Sequence, residues 1–246
     1  VGISTGLKAA YLMQEGADSS IAYDDSKQGH DIPLTNVTLD GDTGLDVDAN
    51  GKIGLLDNTD DAVVDSEAGT IIMRFNSHTS FGNGQQNLLL GVVRENEGDF
   101  YLLKNVNNMY FLLRDDTATH FITVVSAQVP NYQSGTTIAV QWDRSGVIYD
   151  SKNMAFNIDG SYVVPNASAR ADSWNSFNLI DSVGVLNDPL TTNFKADGIC
   201  NYKYYFNTVK TEAELAAIAA NHYIILDDYF GSSAGSKINK GVGLQF

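Results

Sequence analysis

The stretch Asp46-Val47-Asp48-Ala49-Asn50-Gly51-Lys52-Ile53, closing at Asp57, has the spacing of a calcium loop. Oxygen-bearing side chains stand at its positions 1, 3 and 5 (Asp46, Asp48 and Asn50), a glycine at 6, an apolar residue at 8 and a carboxylate at 12. A hard cation needs such alternating oxygens. The same residues also read as a hairpin, because Leu45, Val47, Ile53 and Leu55 alternate around an Asn-Gly turn. Glu97 and Asp99 form a close acid pair, the residue type that flanks the scissile bond in glycosidases. A charged turn between strands is the other reading of that pair. His30, His78, His120 and His222 are scattered, with no spacing that would serve a metal or a nucleophile. Trp174, in the polar stretch 171–175, offers a flat ring face that can stack on a pyranose, or a lid over one end of a sandwich.

The elements that must position these residues read mostly as strands. Short runs of β-branched and aromatic residues occur near 7–13, 44–48, 52–56, 69–76, 87–93, 99–104, 109–114, 121–125, 136–142, 147–150, 154–158, 179–185 and 199–206. Turns between them carry Asn50-Gly51, Ser145-Gly146 and Asp159-Gly160, which supply positive φ at low cost. Thr211 and Glu214 form a capping box that opens one short helix running to Asn221. Residues 226–246 follow as a tail that packs back or reaches a neighbour.

Composition narrows the partners. The chain has 246 residues, 43% apolar and 18% charged, which is enough to bury a core of its own. Its single cysteine, Cys200, excludes an internal disulfide framework, and its apolar surroundings suggest a buried small hydrophobe. Fifteen basic against thirty acidic residues give a net charge of -15. Such a chain repels nucleic acid and anionic membrane. No apolar run approaches the ~20 residues of a membrane-spanning helix.

A resemblance then emerges from several segments in order. Residues 6–16, the loop Asp24-Asp25-Ser26-Lys27-Gln28-Gly29-His30-Asp31, the pair Thr137–Asp143 and Ala155–Gly160, and the closing strand Phe194–Asn207 before a Thr-x-x-Glu helix start together resemble a laminin-G-like domain. The middle segments, Gly69–Phe75, Gln85–Val92, Phe100-Tyr101-Leu102-Leu103 and Tyr110–Asp115, are similar to the lectin domain attached to sialidases, a branch of the same concanavalin-A-like jelly roll. That resemblance implies that Arg114 helps to hold a sialic acid carboxylate, which a guanidinium fork fits bidentately. The family pattern has a Glu where this chain has Leu112, and a second arginine is missing from Val183-Gly184-Val185-Leu186-Asn187. The resemblance also implies a structural calcium tying the N-terminal loop to the last strand, with Asp24, Asp25 and Asp31 as ligands, joined by Asp197. Solvated turn acids are the alternative.

The expected fold is thus all-β: a two-sheet antiparallel jelly-roll sandwich of the concanavalin-A-like kind over residues 1–225, with one short C-terminal helix. The expected role is non-catalytic, extracellular glycan binding, with Arg114, Tyr101 and Trp174 as sugar contacts and calcium as a structural cofactor. A virion or cell-surface structural module, docking on neighbouring proteins or copies of itself, is the second expectation. A glycoside hydrolase or polysaccharide lyase is the third. Against it, Leu102 stands where a laminarinase-like motif needs its second catalytic Glu.

Overall fold

The computed structural model describes residues 2–14, 20–35, 38–40, 44–47, 52–53, 55–57, 63–81, 87–94, 98–115, 117–166, 172–175, 182–184 and 196–231. The chain opens with β1 (Leu7–Tyr11), β2 (Ile21–Ala22), β3 (Ile32–Thr35), β4 (Thr38–Asp40), β5 (Gly44–Val47), β6 (Lys52–Ile53) and β7 (Leu55–Asp57). Longer strands follow: β8 (Ala68–Ser77), β9 (Asn87–Arg94), β10 (Gly98–Asn105), β11 (Asn108–Arg114), β12 (Thr119–Val125) and β13 (Thr136–Asp143). The last are β14 (Met154–Ile158), β15 (Ser161–Val163), β16 (Ser182–Gly184) and β17 (Gly198–Phe206), before helices α1 (Glu212–Ala220) and α2 (Ile224–Phe230).

Two antiparallel sheets make the sandwich. One has eight strands, in the order β15-β14-β13-β8-β17-β5-β4 with β1 also on β17; the other has six, in the order β12-β11-β10-β9-β16-β7. A small third sheet joins β2, β3 and β6. The sandwich expected from the strand pattern, and the jelly roll that the resemblance implies, are what the chain forms.

Apolar alternation explains which face each strand buries. Phe100 and Leu102 of β10, Phe111 and Leu113 of β11, and Ile122 of β12 point inward, where they meet Phe75, Trp142 and Phe156 of the opposing sheet. Phe100 packs edge-on against both Trp142 (4.7 Å) and Phe111 (5.0 Å). Trp142 is a core residue whose indole N–H donates to the Asp65 carbonyl at 2.9 Å. Cys200 is fully buried, and burial pushes its thiol up to about 11.

The eight-stranded sheet is covered on both faces, so its central strands read as nearly continuous buried runs. A bulge between Cys200 and Tyr202 resets the alternation of β17. Cys200 and Tyr205 face the opposing sheet, whereas Tyr202, Tyr204 and Phe206 face the helices. There a second core forms from these rings with Leu7, Ile72, Leu215, Ile218, Ile225 and Leu226.

α1 starts as its residues dictate. The Glu214 N–H donates to Thr211 Oγ1 at 3.3 Å, and the Thr211 N–H donates back to Glu214 Oε2 at 2.8 Å. The C-terminal reading needs correction. Among the described residues there are two α-helices rather than one, and the boundary expected at 225/226 falls inside α2, whose Ile225 and Leu226 are buried. Residues 232–246 lie outside the described residues. The run 147–150 forms only a bridge between Tyr149 and Lys152, at a tight turn through Asp150 and Ser151 with φ of 48° and 60°.

Candidate functional site

The site is built from the outward-pointing residues of β10, β11 and β12. Register pairs Tyr101 with Leu112 and Leu112 with Phe121, so these three form a row across the strands. The next row is Leu103, Tyr110 and Thr123; on the other side lies Asp99, Arg114 and Thr119. Tyr101, Leu103, Tyr110, Leu112 and Phe121 are half-buried, and Arg114 is exposed. Tyr101 and Arg114 are therefore diagonal neighbours on adjacent strands, close enough for long side chains to reach one another's ligand. The face offers flat rings bordered by a guanidinium, which is chemistry for stacking a sugar ring and gripping a polar substituent.

The turn that carries Arg114 is held from beneath. Thr119 Oγ1 accepts from Arg114 Nε at 3.3 Å. Next along the chain, Asp115 is buried, and Oδ1 accepts from the Thr117 N–H and hydroxyl (both 2.8 Å) and the Ala118 N–H (2.6 Å). Its Oδ2 accepts from the Asn175 N–H at 2.9 Å. Burial by itself would raise this carboxyl; the hydrogen bonds from Asn175, Thr117 and Ala118 outweigh it and hold the group at about 2. His120 faces inward and lies 3.5 Å from Asp115 Oδ2.

Trp174 belongs to this support and is not an exposed sugar platform. It is only 4% exposed, its indole N–H donates to the Ser66 carbonyl at 2.8 Å, and its ring lies against His120 at 5.9 Å. The lid reading of this residue is the one that the burial supports. Its polar sequence neighbours disguised it, because the neighbouring Asn175 spends its backbone N–H on Asp115.

The N-terminal aspartates accept hydrogen bonds within their own loop and from Ala10 and Leu12. Asp24 is buried, and its carboxylate accepts five hydrogen bonds: from the N–H groups of Ala10, Ser26, Gln28 and His30, and from the Ser26 hydroxyl. Asp25 Oδ2 accepts from the Leu12 N–H at 2.9 Å, and Asp31 Oδ1 from the Asp24 N–H at 2.8 Å. The loop is thus closed by protein donors to both oxygens of Asp24 and to one oxygen each of Asp25 and Asp31. Asp197 stands apart from it, paired with His78 Nδ1 at 3.1 Å. Among the described residues, no group of three or more His, Cys, Asp or Glu is placed to hold a metal. Of the second candidate loop, Asp48 and Asn50 lie outside the described residues. Asp46 sits on β5, opposite Ile199. The hairpin alternative is corrected: β5 pairs with β4 and β17, whereas β6 pairs with β3. Glu97 also lies outside the described residues.

Tyr110, Leu112 and Phe121 were missed as site residues. Burial alternates along β11 and, as far as Ile122, along β12, but these outer residues are as apolar as their inward neighbours, so no polar alternation marked them in the sequence.

No known sequence family matches the chain, and no curated protein does. Solved structures do. The botulinum neurotoxin serotype D binding domain is 10% identical at a TM-score of 0.66, over 90% of this chain and 53% of that one. The fold is similar to theirs. The botulinum neurotoxin DC binding domain in complex with rat synaptotagmin II is 13% identical at 0.66, over 89% and 52%. The serotype D ligand binding domain in complex with N-acetylneuraminic acid is 9% identical at 0.64, over 89% and 52%. The chain spans about half the length of these binding domains. Likeness at this identity establishes the sandwich and leaves the ligand to the residues.

Proposed function

We propose that the chain is a non-catalytic glycan-binding module acting outside the cell, and that its sugar site is the outer face of β10–β12. The observation that carries this reading is the register that sets Tyr101, Leu112 and Phe121 in one row beside Arg114. Aromatic faces stack on the apolar side of a pyranose, and the guanidinium takes a carboxylate or hydroxyl at the row's edge. Support comes from the solved neighbours: one is a complex with N-acetylneuraminic acid, and another is described by its interaction with two ganglioside molecules. Among the described residues no helix is long and apolar enough to cross a membrane.

A second reading, docking on a protein at a virion or cell surface, has one observation in its favour. The same face is largely apolar, and a solved neighbour is a complex with a protein, synaptotagmin II.

A glycan array probed with the purified chain, with calcium and with chelator, tests the first reading. Saturable binding that Tyr101→Ala and Arg114→Ala each weaken about tenfold supports it. A blank array for a folded chain overturns it in favour of a protein partner.

A further inference from the structure

A second guanidinium, on the opposite sheet, has no hydrogen-bond or ion-pair partner among the described residues. Arg74 lies on β8, two residues after Ile72 and on the same helix-facing side of the eight-stranded sheet. It is half-buried, yet among the described residues no hydrogen bond or ion pair reaches it. That is unusual in a chain with twice as many acids as bases. Arg144, by contrast, is paired with Glu67 at 2.7 Å. The acid whose charge reaches Arg74's neighbour Tyr202 is Asp159, and it is already engaged: its carboxylate accepts from the Thr137 N–H at 2.8 Å and from Asn131 at 3.4 Å.

The residues beside Arg74 in the sheet carry no acid. On β13 and β17 its register partners are Thr137 and Tyr202, whose hydroxyls meet at 3.0 Å. On the other side is Gly135, with φ of 103°; a Cβ there would collide with Asn76 Oδ1 and lie 2.8 Å from Arg74 Nη2. Asn76 Oδ1 is itself buried without a donor. Above Tyr202, the His222 ring stacks at 4.3 Å and 14°, and Tyr223 follows at 4.1 Å. These rings are half-buried and make a flat wall next to the positive charge. Burial and then the Arg74 charge hold His222 down at about 4, so the wall stays neutral at physiological pH.

We propose that Arg74 is the anchor of a second binding site, which takes the carboxylate of an acidic sugar with its ring against His222 and Tyr223. A planar fork matches a carboxylate's two oxygens. The strongly negative chain disfavours dianions and polyanions, which leaves a singly charged group as the ligand. The sugar body of this ligand rests on the glycan reading above; the anion site rests on Arg74.

The test is an NMR titration of the full chain with glucuronate, with acetate and glucose as controls, read at the rings of Tyr202, His222 and Tyr101. Saturable shifts of Tyr202 and His222 with glucuronate, weaker ones with acetate and none with glucose support the site. Arg74→Gln then lowers the affinity about tenfold or more, Arg74→Lys lowers it less, and Arg114→Ala leaves it unchanged. Unmoved Tyr202 and His222 rings, or equal shifts in folded Arg74→Gln, overturn it. Shifts confined to Tyr101 and lost in Arg114→Ala overturn the Arg74 site while leaving the β10–β12 face standing.

Discussion

The amine of Lys203, on β17, crosses the interior of the sandwich and donates to the Leu89 carbonyl of β9 at 2.8 Å. The side chain is fully buried, 5.5 Å from the Tyr205 ring. Burial lowers the ammonium to about 7, the nearby Cys200 only partly opposing it. A lysine that the sequence places in an aromatic strand thus ties one sheet to the other.

That tie gives a pH dependence with a definite sign. Burial holds the folded amine at about 7, whereas the unfolded one keeps the ordinary lysine value of 10.5, so between these values only the unfolded chain binds the proton. This group therefore makes the protein more stable as pH rises from 7 towards 10, and its full penalty applies below about 7. Urea unfolding from pH 7 to 9 should show a gain on the order of a few kcal/mol, which Lys203→Met abolishes. A variant with the same slope as the parent would show that Lys203 is not the source.

The Asp24 carboxylate is a structural hub, so its loss is costly without any metal. Asp24→Ala leaves buried N–H groups of Ala10 and Ser26 without their acceptor. A loss of roughly 3 kcal/mol or more is expected in chemical denaturation. The parent's melting temperature should be the same in calcium and in chelator. A calcium-dependent rise that Asp24→Ala removes would restore the cation reading of this loop.

Trp174 should affect binding only through stability. Trp174→Phe keeps most of the packing and loses the bond to the Ser66 carbonyl, at a cost of about 1 kcal/mol, with glycan binding retained. Trp174→Ala should cost about 3–5 kcal/mol. Binding lost in a well-folded Trp174→Phe would return the indole to the sugar site.

Local chemistry was legible in the residues themselves. The capping box at Thr211 and the Asp159-Gly160 turn, with φ of 49° and 89°, depend on neighbours a few positions away. The long strands were legible for the same reason, since a run of β-branched and aromatic residues is a local signal whether one face is buried or both. The short strands β2, β3, β4 and β15 were not read as strands, because pieces of two to four residues carry too little alternation to signal themselves.

What the sequence determined by itself was therefore the sandwich class and core aromatics such as Trp142. Only tertiary structure decided which side chains meet. Register between strands set Tyr101 diagonally beside Arg114. Amides from Ala10, Gln28 and His30 closed the N-terminal loop on the Asp24 carboxylate. Trp174 went inward because the Ser66 carbonyl, over a hundred positions away, met its indole. Among the described residues no acid pairs with Arg74, and Asp159, whose charge reaches the neighbouring Tyr202, is engaged by Thr137 and Asn131. A side chain's type fixes what it can bond. Which partner reaches it first depends on contacts that are distant in sequence, and only folding brings those together.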